Sequence, residues 1–381
     1  MFTIFLCFLA GVLTLLCLVS IYNYFTFAKV KRVLDTHSLL PFVSILVPAR
    51  NEDRNEDRCI RGCIESLANQ IYPNYEIIIL DDDSSDDTPR ILDELQSLYP
   101  QLISVIYSHE LPDSWIGKSH ACHVLSRYAK GDYLLFTDAD TVHSPYALNS
   151  LVQGAQEMQV DLLTAIPYQT FTSIWEHLMV PFMHVLYHGY LPNSFIYTKK
   201  NSSFIAANGQ IMLFHADAYD AIGGHESVKN SMVEDIDIAR NIKESGARVV
   251  LANATSLVSC SMYTGFEDVF KGFSKNFFAG FQRKHIPFVI FLIHIMSVYV
   301  FPIILLIISL ITENAPLLIW SIVLLMQGML IRLLSTMQFR LPFFHIFLQP
   351  FSALFAIIIG CNSLLWSMPG KSTVWKNRVY H

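Results

Sequence analysis

Charge is what this sequence has least of. Only 15% of its 381 residues are Asp, Glu, Lys or Arg, against 52% hydrophobic. An ordinary soluble domain carries about a quarter charged residues, so that class is excluded for the whole chain. Positive charge is the scarcer sign. The formal net charge is −6, and basic residues cluster only beside apolar runs, which excludes a nucleic-acid partner. A cysteine framework is also missing. The seven cysteines are scattered, an odd number without paired spacing, which points to a reducing compartment. Cys59 and Cys63 stand four apart, half of a metal site with no second half. His120, Cys122 and His123 are too close in sequence to face one ion from a helix. No GxxxxGK[ST] phosphate loop occurs. The one repeat is Arg-Asn-Glu-Asp, at 50–53 and again at 54–57, which lengthens a loop and excludes a solenoid.

Apolar sequence is abundant, with 27 Phe, and it is concentrated at the two ends. Residues 2–27 carry no charge and are long enough to cross a hydrocarbon layer of about 30 Å. A cleaved signal peptide would start basic and end in small residues. Here the start is neutral, Tyr22 and Tyr24 suit an interface, and Lys29, Lys31 and Arg32 follow. That order reads as an uncleaved anchor, residues 1–28, with its C-terminal side in the cytoplasm. A second span is expected over 286–311, after Lys271, Lys275, Arg283 and Lys284, and a return over 317–337. The stretch 341–368 is broken by Pro342, His345, Gln349 and Pro350. It reads either as a re-entrant hairpin or as a further span, so 286–368 forms the C-terminal membrane region. A basic tail, 369–381, closes the chain. The expected location is the cell membrane, multi-pass, with the domain at 41–265 in the cytoplasm.

Within 41–265, apolar runs alternate with helical periods. Strands are expected at 43–47 (stopped by Pro48), 75–80, 103–107 and 132–137, and helices at 55–70, 88–99, 118–129 and 236–244. This alternation is that of an α/β sheet with crossover helices, whose ligands lie beyond the carboxyl ends of the strands. Polar clusters stand at three such ends: Pro48-Ala49-Arg50-Asn51-Glu52, Asp81-Asp82-Asp83 and Asp138-Ala139-Asp140. Asp138 and Asp140, two carboxylates around one small residue, can share a hard divalent cation with substrate phosphates. Lys118 opens a helix, where its charge opposes the macrodipole unless an anion is held there. Glu234 and Asp235 open another helix. They either offset its dipole or supply a general base. The segment 77–88 places five aspartates in seven residues, and its Ser84, Ser85, Asp86, Asp87 and Thr88 are all capping types.

In order along the chain, VSILVPARNE, IIILDDDSSDDT, FTDADT and VED resemble the inverting glycosyltransferases of family 2. WIGKSHAC, ANGQIMLF, AIGGHESV and the closing VWKNRVY are similar to the membrane-anchored bacterial members that glycosylate lipids such as carotenoid acids and hopanoids. The resemblance implies an α/β, GT-A (Rossmann-like) nucleotide-sugar domain between N-terminal and C-terminal transmembrane helices. It implies a UDP-sugar donor, a hexose (glucose by preference), Mg²⁺ or Mn²⁺ as cofactor, and a membrane-lipid acceptor. By position, Pro48, Ala49, Asn51, Glu52, Asp82 and Asp83 would line the nucleotide site, with Lys118 at the phosphates. Asp138 and Asp140 would hold the metal and diphosphate, and Asp235 would take the acceptor proton beside Glu234. Lys275 stands where family members often carry the arginine of a Q-x-x-R-W element, a departure from a processive synthase. A polyprenyl-phosphate sugar transferase and a membrane-anchored nucleotidyltransferase stay open as alternatives.

Two apolar helical patterns, 174–190 and the phenylalanine-rich 266–285, have the spacing of an interfacial surface. The second is expected to be an amphipathic interfacial helix. The alternative is that both faces pack into the protein.

Overall fold

The computed structural model describes residues 1–34, 40–53, 60–108, 110–368, 373–375 and 378–380, the last two segments by their backbone alone. The second copy of the Arg-Asn-Glu-Asp repeat, Cys59, Lys371, Lys376 and Asn377 lie outside them. The chain divides into two compact units. One comprises Met1–Phe27, Phe171–Ser194 and Tyr263–His381, the other Ala28–Thr170 and Phe195–Met262. Elements are numbered along the whole chain.

The first unit is helical: α1 (Phe2–Thr26), α6 (Ile174–Gly189), α10 (Gly265–Asn276), α11 (His285–Ile295), α12 (Phe301–Ile311), α13 (Ala315–Gln338) and α14 (Gln349–Trp366), with a short hairpin of β11 (Thr373–Trp375) and β12 (Arg378–Tyr380). Four of its helical runs are long and apolar enough to cross a membrane: α1, His285–Ile311, α13 and α14. The prolines expected to break 341–368 do not break α14. Pro350 sits in its first turn, where a missing N–H costs no helical bond. At 18 residues, α14 is about 27 Å long, enough for a fourth crossing.

Helix α6 belongs to this unit rather than to the α/β unit that encloses it in sequence. Ser173 and Glu176 form its capping box, and its Met179, Phe182 and Val185 are fully buried. Much of the 266–285 phenylalanine face is likewise internal. Phe273, Phe277 and Phe278 are buried while Phe266 stays exposed, and Phe277 and Phe278 pack edge-on or tilted against Phe288. The periodicity was real, but half of what it presents is core.

The second unit is built on a seven-stranded sheet in the order β3-β2-β1-β4-β8-β6-β9. Its strands are β1 (Val43–Ala49), β2 (Tyr75–Asp82), β3 (Ile103–Ser108), β4 (Tyr133–Thr137), β6 (Leu162–Ile166), β8 (Ile211–His215) and β9 (Val249–Asn253). A small sheet, β5 (Thr141–His143), β10 (Val258–Cys260) and β7 (Tyr168–Gln169), adjoins in sequence. The helices are α2 (Ile60–Ala68), α3 (Thr88–Leu98), α4 (Gly117–Tyr128), α5 (Ala147–Met158), α7 (Ser194–Thr198), α8 (Ala216–Ala221) and α9 (Glu234–Glu244). The central strands are apolar throughout because both faces are covered; Ile45, Leu46, Ile77 and Ile79 are all buried.

Two features set the geometry of the carboxyl edge. First, β1 does not stop at Pro48. It pairs with β2 as far as Ala49↔Asp81, but with β4 only to Leu46↔Phe136. Pro48 is tolerated because β4 has already parted from β1 there, so only one neighbour remains to be paired. The parting falls between β1 and β4, where the strand order reverses, the usual ligand crevice of such sheets. Second, β8 runs antiparallel to β4, with Ile211 opposite Thr137. Its preceding residues Asn208-Gly209-Gln210 therefore arrive at that same edge.

Gly131, just before β4, has no room for a side chain. A Cβ there would lie 2.5 Å from the Ser44 backbone nitrogen and 2.6 Å from the Tyr133 carbonyl oxygen. Gly131→Ala is expected to destabilise the protein by roughly 1–3 kcal/mol, whereas Gly62→Ala on α2, with open space around it, should be neutral or slightly stabilising. Thermal melting of the two detergent-solubilised variants checks this, and equal melting temperatures would contradict it.

Candidate active site

The loop after β1 and the loop after β2 are stitched together by the acidic run. Ser84 Oγ accepts from the backbone N–H of Asn51 at 2.9 Å, Thr88 Oγ1 from Glu52 N–H at 2.9 Å, and Asp86 Oδ2 from Asp53 N–H at 3.0 Å. Asn51 takes a left-handed conformation (φ 51°), which asparagine tolerates, and its Oδ1 accepts from Ser85 N–H at 2.8 Å. Asp81 takes the Ser84 hydroxyl, and the Arg50 guanidinium donates to the Asp82 carbonyl. Asp87 makes no side-chain cap at α3. Asp86 Oδ1 accepts the Thr88 N–H instead, at 3.1 Å. Within the aspartate run, Asp86 is offset by backbone N–H groups, Asp81 by the Ser84 hydroxyl and Asp87 by Arg90. Asp82 is buried at the end of β2. Asp83 is exposed, left-handed (φ 58°), and 3.9 Å from Arg50.

The β4 edge is braced from behind. Thr137 Oγ1 donates to the Gln210 carbonyl at 2.9 Å and Thr141 Oγ1 to the Asp138 carbonyl at 2.8 Å. Both hydroxyls also lie 3.1 Å from His143 Nε2. With both hydroxyl protons directed at carbonyls, Nε2 must be the donor, which fixes the tautomer. Burial pushes His143 down to about 3, so the brace is neutral.

On this frame an ion-paired cluster assembles. Lys118, second residue of α4, places Nζ 2.7 Å from Asp138 Oδ1 and 3.2 Å from Glu234 Oε1. The charge that opposes the α4 dipole is therefore met by two carboxylates. Burial alone would lower the Lys118 pKa, but Asp138 and Glu234 together hold it well above the ordinary lysine value. Asp235 points to the same place. Its Oδ2 accepts from Gly209 N–H at 3.1 Å and its Oδ1 from Ile236 N–H at 2.8 Å. Burial, then the charge of Glu234, pushes Asp235 up to about 7, against the opposing pull of Lys118. The Cys122 thiol, one turn after Lys118 and buried, is pushed up by burial. It also feels the charges of Lys118, Glu234, Asp138 and Asp82.

Asp140 accepts from the Cys260 thiol at 3.4 Å, and the charges of Asp138 and Asp140 both reach that thiol. Among the described residues no group of three or more His, Cys, Asp or Glu side chains could hold a metal ion. Two carboxylates on one turn are nevertheless the right donors for Mg²⁺ or Mn²⁺, which takes one or two carboxylates and completes its shell with phosphate oxygens and water. The residues fit such a cation as its protein half.

Ala49 is buried at the β1 terminus, paired with Asp81, with Pro48 half-buried before it and Glu52 buried after it. Lys275 is on α10, in the helical unit. Three participants carry no sequence signal of their own. Gly209 supplies a backbone N–H, and a Cβ there would crowd Lys118 Nζ at 3.1 Å, so a larger residue would have to displace that ammonium. Cys122 and Gln210 matter through position. The polar run Ala207-Asn208-Gly209-Gln210 directly before an apolar strand is the pattern that could have pointed to two of them.

Residues 44–222 match the family described as Glycosyl transferase family 2. The chain carries a domain of that family. Its α/β unit has the GT-A fold. Over 255 residues it is 28% identical to the 4,4'-diaponeurosporenoate glycosyltransferase of Staphylococcus haemolyticus, a match spanning 66% of this chain and 65%, just under two thirds, of that relative. The Staphylococcus aureus (strain USA300) protein of the same name is 26% identical over 271 residues, 70% of this chain and 68% of the relative. Among solved structures, the mannosyltransferase PcManGT from Pyrobaculum calidifontis, in complex with GDP-Man and Mn²⁺, superposes with a TM-score of 0.53 at 18% identity, covering 95% of this chain and 99% of that one. This last likeness concerns fold alone.

The raised Asp235 pKa has a stability consequence. Its folded value of about 7 exceeds the ordinary 3.8, so the contribution from its protonation is fully present below 3.8 and is lost as pH rises through 7. In metal-free protein, the melting temperature of Asp235→Asn minus that of the wild type should climb between those values and then level. In a Lys118→Met background, levelling should move above pH 7, because Lys118 opposes the rise. A difference flat in pH would show that the carboxyl titrates normally.

Proposed function

We propose that this protein is a membrane-bound, metal-dependent, inverting glycosyltransferase that moves a hexose, glucose in the first instance, from a UDP-sugar to a lipid-soluble acceptor of the carotenoid-acid class. The observation that carries the reading is the cluster Lys118–Asp138–Glu234–Asp235 at the strand-order reversal of a family 2 domain. The names of the staphylococcal relatives support the acceptor class, and the GDP-Man and Mn²⁺ bound to PcManGT support a nucleotide-sugar donor with a divalent ion.

Asp138 and Asp140 would hold Mg²⁺ or Mn²⁺, and such a cation would supply neutralisation of the leaving diphosphate. Pro48, Ala49, Asn51, Glu52, Asp82 and Asp83 flank the base and ribose. Lys118 holds Asp138 and Glu234 in register and adds positive charge beside the phosphates. Asp235, kept half-buried between two N–H donors, removes the proton of an acceptor hydroxyl as that oxygen attacks the anomeric carbon from the face opposite the nucleotide. The C–O bond to UDP breaks as the new one forms, so configuration inverts in one displacement. A pKa of about 7 is close to the optimum for a base at neutral pH. An acceptor carboxylate, already ionised, would depend less on Asp235 than on the phosphate site. The active domain faces the cytoplasm, by the basic flanks of the apolar runs.

Membranes containing the protein, given labelled UDP-glucose, UDP-GlcNAc or GDP-mannose, are expected to release the nucleoside diphosphate and to label one lipid. Asp138→Ala should lose activity at least about 10²-fold, and Asp235→Asn about 10²–10⁴-fold with a hydroxyl acceptor. With a hydroxyl acceptor, the wild-type kcat/KM should fall about tenfold per unit as pH drops below about 7; with a carboxylate acceptor this dependence should be much weaker. Pyrophosphate as the released product would favour nucleotidyl transfer, and label on a polyprenyl phosphate would move the assignment to that acceptor. Undiminished turnover in both variants would falsify the site.

A further inference from the structure

The helical unit buries a positive charge that no acid among its described residues neutralises. Arg332 lies on α13 at 0% exposure, six residues before that helix ends at Gln338, about 9 Å along the axis. Its Nε, Nη1 and Nη2 all lack a hydrogen-bond partner. The described residues of the unit contain four acids, Glu176, Glu267, Asp268 and Glu313. None pairs with it. Glu176 accepts the N–H groups of Ser173 and Gly265. Glu267 pairs with Lys271, Asp268 accepts from Thr264 N–H, and Glu313 precedes the opposite end of α13.

Around Arg332 stand neutral hydrogen-bonding groups rather than carboxylates. Its charge reaches His184, Tyr299 and His345. Ser335, one turn further on the same helix face, is buried with an unpartnered hydroxyl. Other buried polar groups of this unit also lack partners, among them Ser20, Thr336 and Ser352, but those are neutral hydroxyls, whereas Arg332 carries a charge. Asn23 on α1, equally buried, has every bond made: its Nδ2 donates to the carbonyls of His188 at 2.8 Å and Leu191 at 2.7 Å, and its Oδ1 accepts from Asn193 N–H at 2.7 Å. A guanidinium withdrawn from water without an anion is strongly unfavourable, and an unpaired ionisable group inside a membrane segment marks a functional site.

We propose that Arg332 receives the anionic head, phosphate or carboxylate, of a membrane amphiphile. The planar fork of a guanidinium matches either oxyanion in bidentate fashion. Histidines 184 and 345 and Ser335 supply the further donors such a head requires. The source is a lipid rather than a free ion because α13 also presents exposed apolar side chains, Met326 and Met337 among them, against which chains can lie. Arg332 is also near enough to the helix end for a head group to reach. This site does not depend on the glycosyl-transfer reading.

The test is lipid retention by the full-length protein. After washing in zwitterionic detergent, native mass spectrometry of the wild type should show one anionic lipid per chain. Thermal stabilisation should follow added phosphatidylglycerol or oleate, and not phosphatidylcholine. The phosphatidylglycerol and oleate arms distinguish phosphate from carboxylate. Arg332→Gln should weaken the effective lipid at least about tenfold, with Arg332→Lys intermediate. If Arg332→Gln fails to fold, the wild-type measurements decide alone. Equal stabilisation by phosphatidylcholine, equal retention by Arg332→Gln, absence of bound anionic lipid, or inorganic phosphate matching phosphatidylglycerol would each overturn the proposal.

Discussion

The carboxyl edge of the sheet depends on one ammonium group. Glu234 and Asp235 are neighbours at the start of α9, and Asp138 leaves β4 toward them; three half-buried carboxylates so close repel one another at the reduced effective dielectric of a protein interior. Lys118 lies between Asp138 and Glu234, at 2.7 and 3.2 Å, and so joins three elements far apart in sequence: the end of β4, the start of α4 and the start of α9. Asp235, left without a direct partner of opposite charge, is the group that rises. A single lysine thus sorts the acids into two that are paired and one held ready to accept a proton. In a family 2 glycosyltransferase domain that division is what the proposed displacement needs.

The other half of the edge is organised by side-chain-to-backbone bonding. The run Asp81 to Thr88 gives its side-chain oxygens to the backbone of Asn51, Glu52 and Asp53, so two strand-end loops become one rigid lip. Behind β4 the neutral His143 ties Thr137 and Thr141 together, which fixes the turn carrying Asp138 and Asp140 without adding charge. Both devices place rigid backbone beneath flexible acids, the arrangement that keeps a binding constellation in register.

The helical unit shows the same contrast between completed and uncompleted polarity. Asn23 satisfies the carbonyls that end α6 and takes up an N–H beyond it, a full internal account of the kind that apolar surroundings demand. Arg332, equally buried, has no such account. Among the unpartnered buried groups of this unit Arg332 stands apart by its charge, and that charge is what the proposed anionic head would meet.

The alternation of apolar strands with helical periods, the membrane segments and the three acidic strand ends were legible in the sequence, because each follows from local patterning with a fixed period. The order of FTDADT, VED and their companions likewise carried the family. Other features belonged to the tertiary structure. The passage of β1 through Pro48 depends on where β4 parts from it, which no local rule encodes. The inclusion of 171–194 in the helical unit and the inward turn of Phe273, Phe277 and Phe278 follow from which surfaces those helices meet. An amphipathic period shows that a face is buried and is silent about what buries it. The role of Gly209 is invisible in sequence because it acts through a backbone N–H and through the absence of a side chain. The sequence alone placed the acids at strand ends. Only the fold brought Lys118 between them, because an ion pair between residues more than a hundred positions apart depends on distance in space, not along the chain.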